Sequence, residues 1–286
     1  MTLAIVPLDA AFGAEARGID LAKPATPDVA SRLRQALADH RVLIFRDQRL
    51  EALAYADFMR AVFGPLVPHI LDQYHHPDTH DVSVISNVVG SGKGRTTKAP
   101  AGAYWHSDLS YMAGPSDATF LYALEVPPAG GDTIFADMIR AYEALPEALK
   151  RRIAGLKAVH HMFGGRRGEE AKVALTAEQS ARIPEVVHPI VRRHPVNGRP
   201  ALFVNPGFTR SVVGLAPAES GALLEELYAH ATNPAFQYRH VWRQGDVVGC
   251  DNRATIHSAT GGYTAPRTLY RAIVGCGAPV KGAHAA

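Results

Sequence analysis

The tetrapeptide Trp105-His106-Ser107-Asp108 sets two metal-competent side chains two residues apart. A third, His257, follows 151 residues later at the end of Asp251-Asn252-Arg253-Ala254-Thr255-Ile256-His257. On extended backbone, residues i and i+2 point to the same side, so the His106 imidazole and the Asp108 carboxylate can converge. His257 can join them if the intervening chain closes back on itself, as a closed β-fold does. Two imidazoles and a carboxylate on one face of a metal, with the other face open, are the ligand set of non-haem Fe(II) oxygenases.

The rest of the chain carries the strands such a fold needs. Residues 1–24 read as short strands, with Ala16-Arg17-Gly18-Ile19-Asp20 as a turn. Pro27-Asp28 opens a helix to about Ala38, with Val29, Leu33, Leu37 and Ala38 at helical spacing. Residues 41–46 read as a buried strand, and a second helix from about Glu51 to Val62 stops at Phe63-Gly64-Pro65. Further strands are expected at 82–86, 118–123, 132–135, 187–193, 201–204, 237–241, 246–250 and 268–275, and helical segments at 139–155 and 217–230. Many short strands with glycine and proline turns, plus a few helices, predict an α+β protein. Its core would be a double-stranded β-helix (jelly roll) under covering helices, in one domain spanning 1–286. The glycine-rich stretch 88–102 reads as a loop just ahead of the first ligands, in the position of a lid.

Composition removes other classes. A net charge of +3 without a Lys/Arg block argues against nucleic acid as a partner, and the pairs Arg151-Arg152 and Arg166-Arg167 read as solvated. No stretch reaches the ~20 apolar residues of a membrane span. The first residues lack a basic segment leading into an apolar run, so no signal peptide is expected. Two cysteines, Cys250 and Cys276, cannot build a disulfide framework or a four-sulfur zinc site, and a cytoplasmic location is expected.

Taken in order, Trp-His-Ser-Asp at 105–108, Glu-Val-Pro-Pro-Ala-Gly-Gly-Asp-Thr at 125–133 and Asp-Asn-Arg-Ala-Thr-Ile-His at 251–257 resemble the taurine dioxygenase and dichlorophenoxyacetate dioxygenase family. The segments at 141–146, 194–198 and 202–205 are similar to it as well, so the resemblance covers roughly residues 40–275. It implies Fe(II) as cofactor, with 2-oxoglutarate and O2 as co-substrates. His106, Asp108 and His257 would be the iron ligands. Asp108 also separates the chain from related halogenases, where a small residue stands at that position. Arg267, aided by the hydroxyl of Thr133, would hold the far carboxylate of 2-oxoglutarate, and Arg271 the anionic group of the primary substrate. An arginine fork suits both tasks because it donates two parallel hydrogen bonds to a carboxylate.

The resemblance further implies His69, Tyr74 and Phe208 as substrate-pocket residues, a small anionic substrate and a homo-oligomer, dimer or tetramer. The chain departs from the pattern at Gly102, where an asparagine is expected, and at Cys250, where tryptophan is usual before Asp-Asn-Arg. The smaller Cys250 would open volume beside His257 or be backfilled by Tyr270 or Trp242. Alkyl sulfonates, sulfate esters and aryloxyalkanoates all fit as substrates. Two other readings stand beside the oxygenase. One is a catalytically silent dicarboxylate-binding protein on the same fold. The other is a zinc hydrolase, which also uses two histidines and a carboxylate but needs no paired arginines.

Overall fold

The computed structural model describes residues 2–88, 102–165, 176–275 and 279–283. The expected lid lies largely outside the described residues, as do Arg166, Arg167 and Cys276.

The chain opens with β1 (Ala4–Pro7), β2 (Ala14–Arg17), α1 (Pro27–His40), β3 (Val42–Phe45) and α2 (Ala52–Phe63). Thr26 caps α1 by accepting the Val29 amide at 3.3 Å, and Pro27 occupies its first turn, where a missing N–H costs nothing. Then come β4 (His75–His76), β5 (Thr79–Ser86), β6 (Ala118–Glu125), β7 (Thr133–Asp137), α3 (Met138–Glu143) and α4 (Glu147–Ile153). The middle holds β8 (Lys157–His160), α5 (Ala177–Ala181), β9 (Val186–Pro189), β10 (Val191–Arg193), β11 (Pro200–Leu202) and β12 (Thr209–Val212). The last part is α6 (Pro217–Ala231), β13 (Gln237–His240), β14 (Val247–Asp251), β15 (Thr255–Ala259) and β16 (Thr268–Val274).

Eight strands form one sheet in the order β1-β2-β3-β14-β6-β16-β5-β4, and β13-β7-β15 form a second. Every pairing is antiparallel except β2 with β3. The interior between the two sheets holds Ile44, Ala123, Val248, Cys250 and Leu269 from the large sheet and Phe135 from β7. The opposite face of the large sheet packs on α1 and α2 through Leu33, Leu37, Tyr55, Met59 and Phe120. The opposite face of the small sheet, with Ala136 and Ile256, packs on α3 and α6. Alternation along each strand therefore sends one set of side chains inward and the next toward a helix layer.

Three expectations are corrected. The helix expected over 139–155 is two helices, α3 and α4, because Pro146 cannot continue the first and disfavours helical backbone at Leu145. The strand expected over 187–193 is split at Ile190 into β9 and β10. Ala16 and Arg17 are not turn residues but the end of β2, paired with Ile5 and Ala4, and the turn begins at Gly18. Strands β4, β8, β12 and β15 and helix α5 had no counterpart among the expected elements.

Candidate active site

His106 and His257 face each other across a single antiparallel bridge. The His106 amide donates to the His257 carbonyl at 2.9 Å, and the His257 amide returns the bond at 2.7 Å. Residues directly opposite in such a pair present their side chains on the same face, and the two ring centroids lie 4.3 Å apart. Asp108 reaches the same point by a route different from the extended strand expected of it. His106 is the bridging residue, whereas Asp108 begins a turn that carries Leu109 at a φ of 54°. Asp108 Oδ1 then sits 3.7 Å from His106 Nε2, and Oδ2 sits 3.8 Å from His257 Nε2. One ligand atom from each of the three residues falls within 4.8 Å of the others, and all three residues are buried.

The electrostatics suit a divalent cation. Burial alone would push the Asp108 carboxyl up, but the Arg271 guanidinium 3.8 Å from Oδ1 and the neighbouring imidazoles outweigh it and hold the group ionised. Burial, with His106 next to it, pushes His257 down to about 3, so its imidazole is neutral at pH 7. His106 contacts the Tyr104 carbonyl through Nδ1 at 2.8 Å, which places the ring proton there and leaves the Nε2 lone pair for a metal. His257 makes no hydrogen bond among the described residues through its buried Nδ1. A neutral His257 imidazole and an ionised Asp108 carboxylate are the protonation states a metal requires, and with His106 the donor set fits Fe(II).

Arg267 lies just before β16 and is buried. Its Nε donates to the Gly131 carbonyl at 3.1 Å, which brings the guanidinium to the start of β7, where Thr133 stands. The Thr133 hydroxyl accepts the Trp242 indole N–H at 3.1 Å. Tyr263 lies beside the cation, its ring centroid 5.8 Å from Arg267 Cζ. The structure thus brings Arg267 to Gly131, two residues before Thr133, and adds Trp242 and Tyr263, to which sequence reasoning gave no co-substrate role.

Arg271, within β16, is placed on the metal side by the same strand alternation that turns Leu269 and Ile273 inward. His69 stands near it, driven down to about 3 by burial and then by the Arg271 charge, so its ring is neutral. His69 Nδ1 faces the Leu71 backbone, 3.1 Å from its amide nitrogen and 3.4 Å from its carbonyl oxygen. Tyr74 meets the His69 ring edge-on at 5.1 Å. Phe208 stands edge-on to His106 at 5.8 Å and packs in an apolar wall with Ile70, Leu71, Tyr111 and Ile273. Arg271, Phe208 and His69 therefore stand beside the triad, with Tyr74 behind His69.

Gly102 faces the ligand directly, since a Cβ there would lie 3.1 Å from His106 Cε1. Cys250 shares its buried cluster with Trp242, while Tyr270 belongs to the opposite face of the sheet, where its hydroxyl meets His76 at 3.1 Å. Of the two side chains expected to backfill Cys250, Trp242 is the one on its side.

An antiparallel two-sheet α+β fold with a buried His-Asp-His cluster and two separate arginines defines a non-haem metal oxygenase class. The family description "Taurine catabolism dioxygenase TauD, TfdA family" matches residues 4–273, and the chain belongs to that family. It is 35% identical over 266 residues to an alpha-ketoglutarate-dependent 2,4-dichlorophenoxyacetate dioxygenase of Cupriavidus pinatubonensis, covering 90% of this chain and 92% of that one. It is 31% identical over 284 residues to an alkylsulfatase of Acinetobacter baylyi, covering 96% and 84%. A crystal structure of a taurine dioxygenase from Burkholderia xenovorans superposes with a TM-score of 0.80 at 34% identity, covering 99% of this chain and 92% of that one. The protein is an alpha-ketoglutarate-dependent dioxygenase using Fe(II), 2-oxoglutarate and O2. Among the described residues no helix is long and apolar enough to cross a membrane.

Proposed function

We propose that the enzyme hydroxylates a small anionic substrate, with His106, Asp108 and His257 as iron ligands, Thr133 and Arg267 holding 2-oxoglutarate, and His69, Tyr74, Phe208 and Arg271 holding the substrate. The observation that carries this reading is one buried ligand cluster with two arginines in two different places, one beside Gly131 and Thr133, the other 3.8 Å from Asp108. That separation supports Arg267 and Arg271 dividing their roles as the family resemblance implies. The bound metal and 2-oxoglutarate supply the oxidising power that puts one oxygen atom of O2 into a substrate C–H bond, with release of succinate and CO2.

The chain's own residues supply orientation. Arg271 offers charge to the substrate anion, and His69 offers a neutral ring for a hydrogen bond. Phe208 and the apolar wall around it cover the carbon skeleton and exclude water, which strengthens both polar contacts. Hydroxylation beside a heteroatom gives a product that falls apart, releasing sulfite from a sulfonate, sulfate from a sulfate ester, or a phenol from an aryloxyalkanoate.

The two sheets sharing one interior support a double-stranded β-helix, or jelly-roll, core and a single domain over residues 1–286. A cytoplasmic enzyme fits the free buried thiol of Cys250. A dimer or tetramer completes the reading, and light scattering measures it. The decisive experiment is a panel of sulfonates, sulfate esters and aryloxy acids, read as substrate-dependent succinate formation with Fe(II) and ascorbate. Activity toward at least one class, abolished in Asp108→Ala, is expected. Full activity in that variant removes Asp108 from the ligand set.

A further inference from the structure

Asp108 offers two oxygens at nearly equal distance from the two imidazoles, so nothing in the triad alone decides whether it binds through one or both. The surrounding hydrogen bonds do decide it. Asn252 has two amide protons, and its Nδ2 lies 2.8 Å from Ser116 Oγ and 2.8 Å from Thr119 Oγ1. Ser116 spends its own proton on the Asp108 carbonyl at 2.7 Å. Thr119, already accepting from Asn252, has its proton left for Asp108 Oδ2, also at 2.7 Å.

The direction of every proton in this chain is fixed. Turning the Asn252 amide over would strip Asp108 of both donors. Asn252 is itself held by its backbone, which donates to the Asp117 carbonyl at 3.0 Å and accepts the Ser107 hydroxyl at 2.9 Å. Ser107, Ser116, Thr119 and Asn252 are all at most 2% exposed, so water does not compete. Among the described residues, Oδ1 has no hydrogen bond.

We propose that Thr119 and Asn252 are positioning residues that hold Asp108 Oδ2 in a hydrogen bond, so that Asp108 offers the metal Oδ1 alone. The consequence is a count of coordination sites. Three protein atoms leave three open positions on an octahedral ion. Those positions would serve 2-oxoglutarate and O2. A carboxylate bound through both oxygens would take one of those places. Outer partners of this kind commonly change metal affinity about 10- to 100-fold when removed.

The inference rests on the ligand assignment above, and the test separates the two. Co(II) is titrated anaerobically into metal-free wild type, Thr119→Val, Thr119→Ser and Asn252→Ala, following affinity and the visible d–d bands, which report coordination number. Wild type binds one Co(II). Thr119→Val binds at least about tenfold more weakly, with altered bands. Thr119→Ser restores both to wild-type values, and Asn252→Ala falls between. Should the valine variant fail to fold, Thr119→Ser and Thr119→Ala differ only in the hydroxyl and carry the same comparison. Wild type without a Co(II) site overturns the ligand assignment. A normal wild-type site with unchanged affinity and bands in the hydroxyl-free variants overturns the positioning role of Thr119, and unchanged Asn252→Ala removes Asn252 from it.

Discussion

The Trp242 indole N–H donates to the Thr133 hydroxyl oxygen at 3.1 Å. An indole nitrogen can only donate, so Thr133 is the acceptor and its own proton is turned elsewhere. Arg267 likewise has its Nε committed to the Gly131 carbonyl, and its guanidinium also meets Tyr263. Under the proposed assignment Trp242 would orient the Thr133 hydroxyl toward the far carboxylate of 2-oxoglutarate. Losing one hydrogen bond to a charged group costs about 1.5–3 kcal/mol. Thr133→Val should therefore raise the KM for 2-oxoglutarate about tenfold or more, and Trp242→Phe by a smaller factor. The double variant should be no worse than Thr133→Val alone. Steady-state kinetics in 2-oxoglutarate check this, and independent, multiplying effects would refute the coupling.

Gly102 stands at a φ of 76°, where a non-glycine residue is strained, and a Cβ there comes within 3.1 Å of His106 Cε1. The His106 ring has little room to yield, since its Nδ1 is tied to the Tyr104 carbonyl and its neighbour Phe208 is buried. Gly102→Ala should weaken Fe(II) binding several-fold while the thermal midpoint moves by no more than a few degrees. Equal Fe(II) affinity, measured by equilibrium dialysis, would mean the backbone shifts freely there.

The triad was legible from His-x-Asp and a distant histidine, whereas the two arginines were singled out only through the family resemblance. Helices α1 and α2 were legible because Pro27-Asp28 and Gly64-Pro65 mark a start and a stop. Pro146 was equally visible, and its power to split one helix into α3 and α4 was underweighted against the apolar spacing around it. The turn at Asp108 was not legible. Its positive φ falls on Leu109, a residue type that gives no such signal. Thr119 was not legible either. It reaches Asp108 because β6 pairs with β14 in a register that sets it opposite Cys250, a fact of tertiary structure. Asn252 lay in plain view within Asp-Asn-Arg, but its partners are 133 and 136 residues distant.

Acid should unfold the metal-free protein early. Burial pushes His69, His160 and His257 each down to about 3 and lowers His188 and His240 as well. An unfolded histidine takes up its proton near 6.5. Between these values the unfolded chain binds more protons than the folded one. Stability is therefore complete above about pH 6.5 and is lost as pH falls toward 3. From pH 7 to pH 5 each of the three histidines held near 3 removes ~2 kcal/mol. His160 is fully buried, stacked on Phe203 at 5.5 Å and remote from any assigned role, so it isolates the effect. In His160→Phe the drop in unfolding free energy between pH 7 and pH 5, measured in urea, should shrink by ~2 kcal/mol. An unchanged drop would mean that His160 is already protonated in the fold.

Gly249 sits opposite Phe120 across β14 and β6, and a Cβ there would fall 2.2 Å from the Phe120 ring. The ring cannot retreat easily, because it is fully buried and its centroid lies 4.3 Å from that of Phe63. Overpacking of this kind typically costs about 1–3 kcal/mol, and the tight contact argues for the upper part of that range. Gly249→Ala should thus lower stability by ~3 kcal/mol in denaturant unfolding. In a Phe120→Leu background, where the smaller side chain yields, the same substitution should cost at least ~1 kcal/mol less. The contact lies on the helix-facing side of the large sheet, away from the triad, so metal affinity should hold in both variants. Strictly additive losses would show that the strand bends to admit the methyl group, and that Phe120 is not what keeps position 249 a glycine.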